Sequence, residues 1–281
     1  MERFENSMKG RKKGTAPPVF GDGRRHSPSD KDYELIWGRQ PVREALAGQV
    51  PLLRIFIQEG SAGPIITEIK QRAAELSIPL EPLPRVKLDS MVKGESHQGL
   101  VAHVAPYRYH DVDELLEQAG LSNTLPFLLV LDHLQDPHNL GSLLRTAAAA
   151  GVDGVILPRD RACGITPAVY KTSAGNVIHL SVARVVNIGR EIDRLKAEGY
   201  WIAGADMSGT QPFYDAELPF PLVLVLGAEG KGISRLVREK CDLLLRIPMA
   251  KEVMSLNVSV AGGIIIYDIY RRRASKEKRG N

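Results

Sequence analysis

The sequence predicts an α/β protein whose larger part, from about residue 127 onward, is built on a parallel sheet and follows a smaller α/β domain. Three observations predict it. Short runs that are almost wholly apolar recur after Phe127: FLLVLD (127–132), GVILP (154–158), HLSVARV (179–185), YWIAGAD (200–206), LVLVLG (222–227) and LLLRIP (243–248). A strand that is apolar on both sides of its pleat needs cover on both faces, the condition of a parallel sheet flanked by helices. Helical patterns at Leu140–Ala150, Ile188–Glu198 and Ser234–Lys240 stand between several of these runs, and a last one spans roughly Val258–Arg273. Ahead of residue 106, helix and strand patterns alternate over about 70 residues, the size of a small separate domain.

Taken in order, residues 1–33 are rich in Gly, Pro, Lys and Arg and nearly free of periodic apolar positions, so they read as a flexible basic leader. The first domain, 34–105, begins near Trp37. Its expected elements are a helix through Pro41–Ala47, a strand Leu53–Gln58, a helix Ile65–Leu76, a short strand near Leu80, a helix around Val86–Val92 and a strand Leu100–Val104. Residues 106–126, with Pro106, Tyr107, Tyr109 and a polar stretch, read as a linker with a turn or two of helix. The second domain follows at 127–273, and 274–281 read as a basic tail.

Composition narrows the function. At 281 residues with 43% hydrophobic content the chain carries a real core, and disorder throughout is excluded. The formal charge of +4 is mild, but positive charge collects at the ends. Residues 1–31 hold eight Lys or Arg against four acids, and the last residues add Arg271, Arg272, Arg273, Lys276, Lys278 and Arg279. Such runs are solvated tails or phosphate contacts. MERFENSMKG lacks the apolar core of a signal peptide, and no run approaches the roughly 18 apolar residues that span a bilayer. The expectation is a cytoplasmic protein without a membrane partner. Cys163 and Cys241 show neither CxxC nor Cys/His spacing, so no disulfide framework and no metal site are expected; both read as small core residues.

Three segments carry chemistry. In DPHNLGSLLRTAAAAG (136–151), Asn139 is a suitable N-cap and Gly151 a suitable stop for a helix whose buried stripe is Leu140, Leu143, Leu144, Ala147 and Ala148. Arg145 lies off that stripe. In LVLVLGAEGKGIS (222–234) a strand runs into a Gly-rich loop holding Glu229. The loop does not fit GxxxxGK[ST], and a carboxylate at its centre repels phosphate, so it suits a neutral or cationic ligand. In RIPMAKEVMSLNVSVAGGIIIYDIY (246–270) a strand leads to Ser255 and Asn257, either of which can cap the helix that follows. Each segment places polar groups at the C-terminal end of a buried strand, where open α/β sheets bind ligands.

Asn139, Gly141 and Arg145 in HNLGSLLRTA, then LGAEGKGIS, then IPMAKEVMSLNVSVAGGIIIYD, resemble in order and spacing the three motifs of the SpoU/TrmH ribose methyltransferases of the SPOUT superfamily. The resemblance covers about residues 127–271. GRQPVREAL (38–46), SHQGLVAHV (96–104) and KTSAGNVIHLSVARV (171–185) are similar to segments of the branch that includes the 23S ribosomal RNA guanosine 2′-O-methyltransferases. The resemblance implies a SPOUT methyltransferase domain with a deep trefoil knot, an exception to unknotted folding, and a first domain that binds structured RNA. It implies S-adenosylmethionine as cofactor, held in a bent shape largely by backbone groups, with Gly204, Leu226, Gly227, Gly230, Ile247, Met249 and Leu256 at the corresponding positions. It further implies a homodimer, with the last helix and the first motif's helix at the interface and the active site completed across it. Two residues depart from the family pattern: Lys251 stands where relatives commonly have glycine, and Gln40 where they often have His or Asn.

The implied reaction methylates a guanosine 2′-hydroxyl, most specifically in 23S ribosomal RNA. A ribose hydroxyl is a weak acid and a poor nucleophile, so the site must align it and help remove its proton. Arg145 is the central catalytic residue by resemblance, contacting the target phosphate and stabilising or accepting charge from the nucleophilic oxygen. Asn139, Glu229, Ser255 and Asn257 orient it, the ribose and the cofactor. Two rivals remain on the same scaffold: a transfer-RNA 2′-O-methyltransferase, and an RNA-binding protein without catalysis.

Overall fold

In a computed structural model the described residues are 33–47, 52–121, 124–250 and 255–280. The expected leader, apart from Tyr33, and the departure at Lys251 lie outside them.

The first domain runs β1 (Glu34–Trp37), α1 (Arg39–Ala47), β2 (Leu52–Gln58), α2 (Pro64–Glu75), β3 (Leu80–Leu83), α3 (Arg85–Met91) and β4 (Leu100–Val104). Its four-stranded sheet has the order β1-β4-β2-β3, with β4 antiparallel to both neighbours and β2 parallel to β3. Alternation in β2 sorts the two faces: Ile55 and Ile57 pack with Val42 and Leu46 of α1 and Ile66 and Ile69 of α2, whereas Phe56 turns to Leu88 of α3. Strand β1 escapes the sequence reading because only Ile36 of its four residues is buried, too little for a periodic signal.

The second domain continues with α4 (Val112–Leu121), β5 (Phe127–Asp132), α5 (Pro137–Ala149), β6 (Gly154–Pro158), α6 (Pro167–Thr172), a 3-10 turn (Asn176–His179), β7 (Val182–Val185), α7 (Ile188–Ala197), β8 (Trp201–Ala205), β9 (Gln211–Pro212), β10 (Leu222–Gly227), α8 (Arg235–Arg238), β11 (Leu243–Arg246) and α9 (Val258–Gly280). Its seven strands, ordered β7-β6-β5-β10-β8-β11-β9, are all parallel. Every residue of β5, β6 and β10 is buried, as two-sided helical cover requires. The strand order reverses between β5 and β10, where Asp132 pairs in register with Gly227. The crevice beyond these two strand ends is the position where such sheets receive ligands.

Two expectations about the ends of this domain are corrected. The segment read as a linker contains α4, whose Val112, Leu115 and Ala119 are buried in the core. Leu115 fills the space over Gly154, where a Cβ would lie 2.4 Å from its Cγ. The basic tail is also not a tail, because α9 continues to Gly280. Nor are Arg272 and Arg273 free for phosphate. Arg273 is buried and bonds Asp153 at 2.8 Å and the Gly151 carbonyl at 2.6 Å. Arg272 donates to the Tyr214 and Ala216 carbonyls and to Asp268, each at 2.6 Å. These bonds fasten α9 to loops on both sides of it.

The domains touch through α1, β1, α6 and the 3-10 turn. Lys171 bonds Glu95 at 2.5 Å and lies over the Trp37 ring, while Tyr107 donates to the Leu180 carbonyl at 2.8 Å. Cys163 and Cys241 pack as half-buried core residues, and burial pushes the Cys241 thiol up to about 12. No helix among the described residues is long and apolar enough to cross a membrane.

Candidate active site

The site forms where the three sequence segments meet at the C-terminal ends of β5 and β10. Helix α5 begins differently from the sequence expectation: Asp136, not Asn139, is its N-cap, accepting from the His138 and Asn139 amides at 3.2 and 3.1 Å. Pro137 occupies the first helical position, where a missing N–H costs nothing. Asn139 therefore sits inside the first turn with its side chain released from capping. It is 7% exposed, and its Nδ2 donates to Glu229 Oε2 at 3.0 Å.

Asn257 completes the cluster from the other side. Its Oδ1 accepts from the Ser259 amide at 2.9 Å, capping α9, while its Nδ2 donates to Asn139 Oδ1 at 2.9 Å. One residue from each segment is thus joined in a chain, Asn257 to Asn139 to Glu229, in which each amide has one defined orientation. The carboxylate at its end keeps an oxygen for a further donor or a cation.

Two other expected catalytic residues are not drawn into this cluster. Arg145 lies six residues beyond Asn139, roughly 9 Å along the helix and on another side of it. It is exposed and makes no hydrogen bond or ion pair among the described residues. Ser255 is exposed ahead of α9.

The expected cofactor positions lie on neighbouring strand ends. Leu226 and Gly227 end β10, Gly204 lies near the end of β8 in register with Val225, and Ile247 and Met249 follow β11. A Cβ on Gly227 would fall 1.9 Å from the Gly232 carbonyl carbon, so the loop 228–232 doubles back against the strand. Gly230, at the loop's exposed tip, holds φ of +75°. Gly204 has a packing reason of its own, since a Cβ there would meet Cys241 Sγ at 2.8 Å and Ile233 Cδ1 at 2.9 Å. Leu226 is buried with its Cδ1 toward Gly262, whose bare backbone lets α9 close on β10. Leu256 is half-buried two residues before α9.

The sequence reading missed Asp132 and His133. Asp132 is 1% exposed; its Oδ2 accepts from the Ser234 amide at 2.7 Å, closing the Glu229 loop, and its Oδ1 bonds His133 Nδ1 at 2.5 Å. His133 holds φ of +60°, a left-handed conformation uncommon outside glycine. An acid ending a wholly apolar strand was the available signal, because a buried carboxylate requires partners.

Comparison with known proteins agrees with this architecture. Residues 126–267 match the SpoU rRNA Methylase family, and residues 35–110 match the RNA 2′-O ribose methyltransferase substrate-binding domain. A Bacillus subtilis protein assigned to the TrmH family of tRNA/rRNA methyltransferases, YacO, is 42% identical over 243 residues, 86% of this chain and 97% of its own. A Staphylococcus haemolyticus protein of the same assignment is 43% identical, covering 85% of this chain and 96% of its own. The solved SpoU methyltransferase AviRb from Streptomyces viridochromogenes, in complex with AdoMet, shares the fold with a TM-score of 0.73 at 23% identity, covering 90% of this chain and 95% of that one. With the family match spanning half the chain and relatives of this identity covering nearly all of it, the chain belongs to the SpoU/TrmH family of RNA methyltransferases.

Proposed function

We propose that this protein transfers a methyl group from S-adenosylmethionine to the 2′-hydroxyl of a guanosine in structured RNA, most specifically in 23S ribosomal RNA, and that it works in the cytoplasm as a homodimer. The observation that carries the reading is the Asn257–Asn139–Glu229 chain at the reversal point of the sheet, with an exposed Arg145 on the same helix as Asn139 that has no partner among the described residues.

The residues suit the cofactor. A carboxylate with a free oxygen, on a loop whose glycines bring backbone close, complements a cationic ligand where a phosphate would be repelled. Gly227, Gly230, Ile247, Met249 and Leu256 would hold it through backbone groups, on the family pattern. Leu226 and Gly204 support the pocket from behind. When bound, S-adenosylmethionine supplies an electrophilic methyl on a positively charged sulfur. Arg145 presents a donor fork that engages the target phosphate and the ribose oxygen as its proton leaves. Asn139 and Glu229 orient the groups around it, and Ser255 lies within the same segment as Asn257.

A second copy of the chain is supported by α9. Val260, Ile264, Tyr267 and Tyr270 leave an apolar stripe 38% to 51% exposed along it. A partner seated there brings its own Arg145 helix close, which gives that arginine a site across the interface. The trefoil knot belongs to the same proposal, supported by the family match alone.

Mapping ribose methylation in ribosomal and transfer RNA from a deletion strain tests the substrate. Loss of one 2′-O-methylguanosine in 23S RNA, restored by the intact gene, is expected. Loss confined to transfer RNA moves the assignment there, and an unchanged map overturns it.

A further inference from the structure

Outside the site already described, a cleft of about 860 Å³ opens in the first domain between the start of α1, the loop after β2, α3 and the turn before β4. Its construction is specific. His97 is 4% exposed, and both ring nitrogens are engaged: Nδ1 accepts from the Gly99 amide at 2.9 Å, and Nε2 donates to Asp89 at 3.0 Å. The locked imidazole holds a tight turn in which Gln98 takes φ of +52°, an uncommon conformation for a residue with a side chain. Gln98 in turn clasps Arg39, its Oε1 accepting from the Arg39 amide at 3.2 Å and its carbonyl from Arg39 Nε at 3.3 Å.

This leaves two unmatched groups facing one cleft. The terminal nitrogens of Arg39 and the carboxylate of Glu59 make no hydrogen bond or ion pair among the described residues. The guanidinium is a fork of donors suited to phosphate, and the carboxylate only accepts. Guanine alone among the four RNA bases shows two adjacent donors, N1–H and N2–H, on its pairing edge. That edge is free for recognition only in an unpaired nucleotide.

The cleft is linked to the active site through α6. Glu95 on its rim bonds Lys171 of α6 at 2.5 Å, and α6 lies against α5, with Thr172 Oγ1 donating to the Pro137 carbonyl at 3.2 Å. The Lys171 ammonium holds the Glu95 carboxyl below its ordinary range, with His138, the neighbour of Asn139, adding to the effect.

We propose that this cleft captures an unpaired guanine nucleotide of the RNA substrate beside the methylated one, with Glu59 on the base's N1–H and N2–H edge and Arg39 on its phosphate. The inference rests on the RNA reading above and adds a specificity-determining site to it. Positioning falls to His97 and Gln98, which hold the turn and Arg39 in place.

The test is fluorescence anisotropy of the full chain with labelled pentanucleotides UUGUU, UUAUU, UUCUU and UUUUU. UUGUU should bind about tenfold more tightly than the others, the discrimination of one bidentate base contact. Glu59→Gln should erase that preference while leaving the other three RNAs within about twofold, and Arg39→Ala should weaken all four alike. Glu59 is exposed, so an unchanged melting temperature will show that its variant folds. No guanine preference in the intact protein, or a preference that survives Glu59→Gln, overturns the proposal. If the preference is present but no RNA is methylated, the methyl-transfer reading fails and the cleft stands; if RNA is methylated without the preference, the reverse holds.

Discussion

The side-chain amide of Asn257 donates to Asn139 at 2.9 Å across 118 residues of chain, and Asn139 passes the connection to Glu229 at 3.0 Å. Asn139 is the shared member, so its loss leaves both neighbours without their partner. Asn139→Ala should lower stability by about 1 kcal/mol, the net worth of a typical hydrogen bond, because Glu229 and Asn257 are exposed and water can replace the lost partner. Methyl transfer should fall about a hundredfold as Glu229 loses its orientation. Urea unfolding with single-turnover methylation of ribosomal RNA measures both; a stable protein with undiminished rate would remove the cluster from the mechanism.

Arg145 gives the complementary pattern. Exposed and without a hydrogen bond or ion pair among the described residues, it supports no described contact that Arg145→Ala could break, and alanine is the better helix former. Folding and cofactor binding should be unchanged while methylation drops roughly a hundredfold or more. Arg145→Lys should be nearly as inactive, since it keeps the charge but not the planar fork. Single-turnover rates at saturating enzyme report the chemical step, and near-normal rates would assign proton removal elsewhere.

Asp136 is predicted to act at a distance from substrate. Asp136→Ala removes the cap of α5 and should cost about 1 kcal/mol. Asp136→Ser should restore most of the stability, because serine caps as well. If activity follows melting temperature through this pair, the cap's role is to hold Asn139 in place; a serine variant that is stable but inactive would give Asp136 a direct part.

Two glycines of one loop should respond differently. Gly227→Ala drives a methyl to 1.9 Å from the Gly232 backbone and should destabilise by about 3 kcal/mol with loss of cofactor binding. Gly230→Ala enters open space and bears only the left-handed backbone cost, about 1–2 kcal/mol. Calorimetric titration with S-adenosylmethionine alongside urea unfolding separates them, and equal losses would refute the close approach at Gly227.

Neighbouring arginines of α9 should separate just as sharply. Arg273→Ala leaves Asp153 without its buried partner and should cost about 3–5 kcal/mol. Arg271→Ala, at an exposed arginine paired with Asp268, should cost less than about 1 kcal/mol. Denaturation midpoints of the two variants decide this; similar values would refute the buried role of Arg273.

What the sequence determined by itself is whatever burial writes into local pattern. The two-sided apolar runs of β5, β6 and β10 announced a covered parallel sheet, and the stripe Leu140–Leu143–Leu144–Ala147 announced the buried face of α5, because periodicity reports which side chains leave water. The residue types gathered at the site were readable from their place after strand ends. Partner choice was not. That Asp136 rather than Asn139 caps α5, that Arg272 and Arg273 bond inside the fold instead of phosphate, and that Val112–Leu121 packs beneath the sheet depend on groups far away in the chain. A hydrogen bond needs its two ends within about 3 Å. When those ends are 90 residues apart, as Asn139 and Glu229 are, only the completed tertiary structure brings them to that distance.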